Sequence, residues 1–169
     1  MSMGEQNFNT NQLKKSINPV ILEIEVSFHS INFKIMKSQF MSSGPIAHDL
    51  GLLFLRIVSG AVMLTHGYPK FQKIMEGNLK FGDPVGLGEI PSLYLSTFAE
   101  FLCAILVIIG LYTRLSLIPL IINMSVAFFI AHAADDFGTK EKSLLFLGMF
   151  IVLFLTGPGR FSIDNKINK

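Results

Sequence analysis

The stretch SLYLSTFAEFLCAILVIIGLY, Ser92 to Tyr112, decides the fold of this chain of 169 residues. It is nearly unbroken apolar sequence of about twenty residues, the length an α-helix needs to cross the hydrocarbon core of a bilayer. Glu100 stands near its centre. A carboxylate at that depth is costly, and such residues face a bundle interior or a wet cavity and usually mark function. Whatever meets Glu100 must come from other apolar spans.

Composition agrees with a membrane protein. Hydrophobic residues make up 50% of the chain, 16 residues are Phe and only 15% are charged, which is too apolar for an ordinary soluble domain of this size. A net charge of +2, with no basic run interleaved with aromatics, excludes nucleic acid as a partner. The one cysteine, Cys103, lies in the Glu100 span, so there is no disulfide framework, CxxC redox pair or cysteine-rich metal site. No covalent cofactor is expected, and redox chemistry needs a partner protein or a bound small molecule.

Three further spans flank this one. The first is LGLLFLRIVSGAVMLTHGY, Leu50 to Tyr68, with Asp49 placed to cap its N-terminus and Arg56 inside it. A polar connection follows and ends in the Gly/Pro-rich FGDPVGLGEIP. Gly82, Gly86 and Gly88 there form no GxGxxG, so an extramembrane loop is predicted. Thr113 and Arg114 leave room only for a tight hairpin, which makes spans two and three antiparallel neighbours. Span three, Leu115 to Ala134, carries Pro119, Asn123 and His132. The connection DDFGTKEK leads to span four, Ser143 to about Gly157, which holds no ionisable group.

The predicted architecture is all-α, a transmembrane four-helix bundle in one domain, residues 49–164, with a C-terminal tail at 165–169. Residues 1–48 differ in character. They open polar and then alternate through Leu22, Ile24, Val26 and Phe28, a period-two strand signal. They contain no uninterrupted apolar run of a signal peptide. A start at Met36 or Met41 is favoured, which would make the first forty or so residues an extension outside the frame.

An even number of spans puts both ends on one side. Lys34, Lys37, Arg114, Arg160, Lys166 and Lys169 lie on one side, against Lys70, Lys73, Lys80, Lys140 and Lys142 on the other. That excess places both termini in the cytoplasm.

Helical spacing groups Arg56, Ser59, Gly60, Met63, His66 and Gly67 on one stripe of span one, and Ser96, Glu100, Cys103, Val107 and Gly110 on one stripe of span two. Small and polar residues on a shared stripe are the packing faces of helices in lipid. At 1.5 Å per residue, Arg56 lies about 9 Å, Glu100 about 16 Å and His66 about 24 Å from the cytoplasmic ends of their spans. Side chains tilt toward their own helix N-terminus, so in an antiparallel pair His66 and Glu100 lean toward each other. Glu100 is thus expected to meet His66 at least as readily as Arg56, with His132 reaching the same outer level. Asn123 falls on the opposite side of span three from His132, so the two are not expected to share a cavity.

Plainer readings stand beside this one. Arg56 and Glu100 would serve equally as a buried ion pair fixing helix register. His66 and His132 sit near the interface, where an imidazole is cheap. Two His and one Glu from three separate helices, without HxxxH or ExxH spacing, make a poor metal set, and no metal is expected. Cys103 reads as a small packing residue.

The order of these features resembles the DoxX family of small four-helix membrane proteins. The residues that carry it are RIVSGAVMLTHGYPK from Arg56 to Lys70, Glu100, the GLYTR hairpin at Gly110 to Arg114, His132, and the GPGRFSID ending. The likeness covers about Leu50 to Asp164. It implies a bacterial cytoplasmic (inner) membrane protein related to subunits of quinone-linked sulfur oxidation and of oxidative-stress complexes, with Arg56, His66, Lys70, Glu100 and His132 as functional positions.

The function expected from both lines is a membrane subunit of a quinone-linked redox system, with a quinone or small sulfur species in an outward pocket. Glu100 and His66 would exchange protons, and Arg56, Lys70 and His132 would bind the ligand. The expected partners are the lipid bilayer, an oxidoreductase or sulfurtransferase, and a second copy in a homodimer. A small permease, or a scaffold with a structural ion pair, are the alternatives.

Overall fold

The computed structural model describes residue 21, residues 23–31 and residues 47–167. It divides into two units, Met1–Ile46 and Ala47–Lys169. In the first unit, residues 23–31 form a helix, α1, where alternation predicts a strand. Ile21, Ile24, Phe28 and Ile31, all exposed, also recur at helical spacing, and no strand pairs with this segment among the described residues. The rest of that segment, and with it the question of Met36 or Met41, lies outside the described residues.

The second unit consists of α2 (His48–Met75), α3 (Glu89–Ile109), α4 (Thr113–Ala131), α5 (Phe137–Thr156) and the short α6 (Ile163–Ile167). No strand occurs among the described residues. α2, α3 and α4 are each long and apolar enough to cross a membrane. α5 has the length, but Lys140, Glu141 and Lys142 fill its second turn, and its apolar run starts after Ser143. The protein is therefore a multi-pass, all-α membrane protein built as a four-helix bundle. Each long helix packs on two others, α2 on α3 and α5, and α4 on α3 and α5. Met63, Cys103, Val107, Leu117, Leu120, Phe150 and Leu153 meet at the centre.

Several predicted boundaries move. α2 does not stop at Tyr68 but runs through Pro69 to Met75, so Lys70 and Lys73 are helical. DDFGTKEK is not all loop, because α5 begins at Phe137 and takes in its charged residues. Asp49 is no N-cap: that position is Ala47, and the Asp49 carboxylate instead accepts the Arg160 N–H at 2.9 Å.

The hairpin between α3 and α4 forms as expected, for a reason legible in Gly110. Its left-handed φ of 73° closes α3, with the Leu111 N–H reaching back to the Leu106 carbonyl at 3.0 Å. A Cβ there would also sit 2.0 Å from Arg56 Nη1. The first N–H groups of α4 are capped from a distance: Asp164 accepts from Tyr112 at 2.7 Å and from Thr113 at 2.8 Å.

Candidate functional site

Close helix contact positions the site. A Cβ on Gly67 would lie 2.5 Å from the backbone carbon and oxygen of Glu100, so the absent side chain lets α2 touch the α3 backbone at that level. Gly60 does the same lower down, against Ala104 and Ile108. Three levels of contact follow: Arg56 with Gly110, Gly60 with Ala104, Gly67 with Glu100. Across the three, α2 advances from residue 56 to 67 while α3 runs back from 110 to 100, the signature of antiparallel neighbours.

This register corrects the depth argument. The helix ends are not flush, because α2 starts about 12 Å before the hairpin that closes α3. Arg56 lies level with that hairpin rather than near Glu100. Its guanidinium is fully buried and donates from Nη2 to the Phe161 carbonyl at 2.6 Å, while Nε and Nη1 have no hydrogen-bond partner among the described residues. An Arg56–Glu100 ion pair is not formed. His66 departs too, since it is exposed and sets its ring edge-on to Phe146 of α5, with centroids 6.0 Å apart.

Glu100 meets other company. Its carboxylate, almost wholly buried, pairs with the Lys70 ammonium through Oε2. Its Oε1 accepts from Asn123 Nδ2 at 2.8 Å and from Ser96 Oγ at 3.1 Å. Three helices thus supply three donors to one carboxylate, as a buried charge requires. Gly67 and Lys70 are three residues apart, so the helix face that lets α2 approach also delivers the ammonium.

Two π-helical turns complete the arrangement. Phe98–Cys103 in α3 carries Glu100, and Ala127–Ala131 ends α4 just before His132. In a regular helix the nine steps from Asn123 to His132 turn through about 900°, which places the two on opposite sides. A π-turn holds one extra residue and sets everything beyond it back by about 100°. Both Asn123 and His132 consequently line one cavity, against the sequence expectation.

That cavity has a volume of about 760 Å³. Lys70, Ser96, Glu100 and Asn123 form its polar end, and Leu95, Phe98, Ile122 and Val126 are among its apolar walls. Leu95, Phe98 and Ile122 are themselves exposed, and they lie on α3 and α4, two helices long and apolar enough to cross a membrane. The loop at 81–87 forms its cover with Phe81, Pro84, Val85 and Leu87. Asp83 pins that cover by accepting from the N–H groups of Leu87 at 2.9 Å and Gly88 at 2.8 Å and from Ser92 Oγ at 3.0 Å. These bonds, Gly88 foremost, hold the Asp83 carboxyl below the usual carboxylate range. At the rim, His132 Nδ1 lies 2.7 Å from Asp135 Oδ2.

Of the five positions expected from sequence, Glu100, Lys70 and His132 come together and Arg56 and His66 do not. Asn123 was misplaced by the unseen π-turn. Ser96 was on the predicted stripe, one turn from Glu100, and its hydroxyl is a direct partner. Among the described residues no three His, Cys, Asp or Glu side chains converge as a metal set would.

Comparison with known proteins places these features in a family. A model of DoxX matches residues 51–133. An uncharacterized protein of Haemophilus influenzae is 31% identical over 129 residues, covering 70% of this chain and 91% of its own. "Putative oxidoreductase CatD" of Bacillus subtilis is 31% identical over 122 residues, covering 72% of this chain and 90% of its own. "Inner membrane protein YqjF" of Escherichia coli is 28% identical over 127 residues, covering 72% and 95%. No solved structure matches. The matched segment takes in Gly67, Lys70, Glu100, Asn123 and His132, so it is with its whole cavity that this chain belongs to the DoxX family.

Proposed function

We propose that the protein is the membrane subunit of a quinone-linked redox system in a bacterial inner membrane, and that its cavity binds a quinone or a small sulfur species. The observation that carries this reading is the cavity's polarity: apolar walls on helices long and apolar enough to cross a membrane, and one polar end furnished by Lys70, Glu100, Asn123 and Ser96. A quinone has the complementary shape, a lipid-soluble body with oxygen atoms at the head. It would enter from the bilayer between Leu95 and Ile122 without crossing water. The name of the Bacillus subtilis relative supports the class of chemistry. Reduction of a quinone takes two electrons and two protons. The electrons would come through a partner oxidoreductase, or from a reduced sulfur compound that a partner sulfurtransferase delivers and that is oxidised in the process, and the protons from the Lys70–Glu100 end. Both termini would lie in the cytoplasm, with the cavity toward the opposite face.

Photolabelling tests the site. The full chain in lipid nanodiscs is irradiated with an azido-quinone, digested and mapped. Adducts on peptides containing Leu95–Phe98 or Ile122–Val126, competed away by excess unlabelled quinone, are expected. Labelling spread over all four helices and indifferent to competitor would sink the proposal.

A further inference from the structure

The hydrogen bonds at the polar end distinguish what touches the ligand from what holds it. Asn123 and Lys70 have only donors to offer Glu100 at these contacts, and Ser96 is the third group present. At these three contacts Glu100 acts as the acceptor, and Ser96 Oγ is the one neighbour there that could take a proton from it. Lys70 is the reverse case. Its ammonium has three N–H groups, and Glu100 is its one hydrogen-bond partner among the described residues. Its side chain is 21% exposed against 6% for Glu100, and it lines the cavity with Phe81, whose ring centroid is 5.9 Å from Nζ.

We propose that Lys70 is the residue that grips the ligand's head, that Glu100, Asn123 and Ser96 are positioning residues for it, and that the neutral Lys70–Glu100 pair selects an uncharged carbonyl oxygen over an anionic head group. This rests on the quinone reading and sharpens it. The selection follows from charge. A lone ammonium in low dielectric attracts an anion strongly, but an adjacent carboxylate cancels that field and leaves two N–H donors for a carbonyl. Glu100 thus sets specificity through the charge it places against Lys70. The proton nearest a bound quinone oxygen is a Lys70 N–H, not one on Glu100.

A matched pair of probes tests this: a neutral alkyl-1,4-naphthoquinone, and its 2-hydroxy derivative, which is ionised at neutral pH. Binding of each to the full chain in nanodiscs is measured by calorimetry. The wild-type protein should prefer the neutral probe. Lys70→Met should weaken that probe by about tenfold or more, the worth of a hydrogen bond to a charged donor, and Lys70→Arg should restore most of it. Glu100→Gln should invert the preference, tightening the anionic probe by about tenfold over wild type as the Lys70 charge is uncovered. If Glu100→Gln fails to insert in membranes, Glu100→Asp, which retracts the carboxylate by one methylene, should shift preference the same way to a smaller extent. Equal binding of the neutral probe to wild type and Lys70→Met overturns the inference, and so does any Glu100 variant that binds the anion no better. If wild type binds neither probe, the quinone reading itself fails, which is a separate outcome.

Discussion

Lys70 and Glu100, 30 residues apart in sequence and on different transmembrane helices, form an ion pair at the polar end of an apolar cavity. Gly67 makes it possible, because the missing side chain lets the two backbones touch one turn away. The pair is the point where helix packing and site chemistry depend on the same residues.

Removing one partner of this pair strands the other. Lys70→Met leaves a buried carboxylate with two neutral donors, and Glu100→Gln leaves an ammonium with at most a neutral amide oxygen in place of its counter-charge. Each single change should lower stability, whereas Lys70→Met with Glu100→Gln should recover part of the loss. Thermal unfolding in detergent should give a coupling of about 1–3 kcal/mol. Strictly additive losses would mean that the two side chains do not interact.

Gly67→Ala tests the close approach. Its Cβ meets the Glu100 backbone, which cannot swing aside as a side chain does. The helices must separate, at a cost of about 1–3 kcal/mol. Gly51→Ala in the same helix is the control, since a Cβ there meets nothing within 4 Å and alanine is the better helix former. Thermal unfolding should show the first variant destabilised and the second unchanged or slightly improved.

Asp164 ties the C-terminal segment to the hairpin by accepting the N–H groups of Tyr112 and Thr113. Asp164→Ala leaves both without a side-chain acceptor and should cost about 1–2 kcal/mol, the range for losing a helix cap. The change should appear as a lower unfolding temperature and earlier proteolysis after Arg160. It should leave quinone labelling unaltered, because the hairpin and the cavity lie at opposite ends of α3.

The legible part of the fold was what period and length encode. The apolar run around Glu100, the hairpin at Gly110 to Arg114 and the inward stripe from Ser96 to Gly110 follow from counting, and every member of that stripe is buried. The illegible part was register. Flush helix ends put Arg56 and His66 beside Glu100, and no periodicity reveals that α2 starts a dozen or so ångströms early. The apolar run ends at Tyr68 and polar residues follow, which reads as a connection holding Lys70, although the helix continues through Pro69 to Met75. The π-turn at Ala127–Ala131 inserts its extra residue into uniformly apolar sequence, where nothing marks it. For those reasons Lys70 came from family likeness alone, and Asn123 was set on the wrong side.

Acid should loosen the cover of the cavity. The Asp83 carboxyl lies below its ordinary range because the Gly88 N–H, then Ser92 Oγ and the Leu87 and Gly86 N–H groups, favour the charged form over an opposing effect of burial. A depressed carboxyl contributes order that is complete above the unfolded value, about 3.9 for Asp, and is lost as pH falls through the folded value. The loop at 81–88 should therefore stay closed at neutral pH and open progressively only below about pH 4. Hydrogen exchange at the Leu87 and Gly88 amides, followed against pH and corrected for the intrinsic rate, measures this directly. In Asp83→Asn the protection should already be low at neutral pH and flat across the acid range. Wild-type protection that does not fall with acid would show that another contact, not this carboxylate, holds the cover over Lys70 and Glu100.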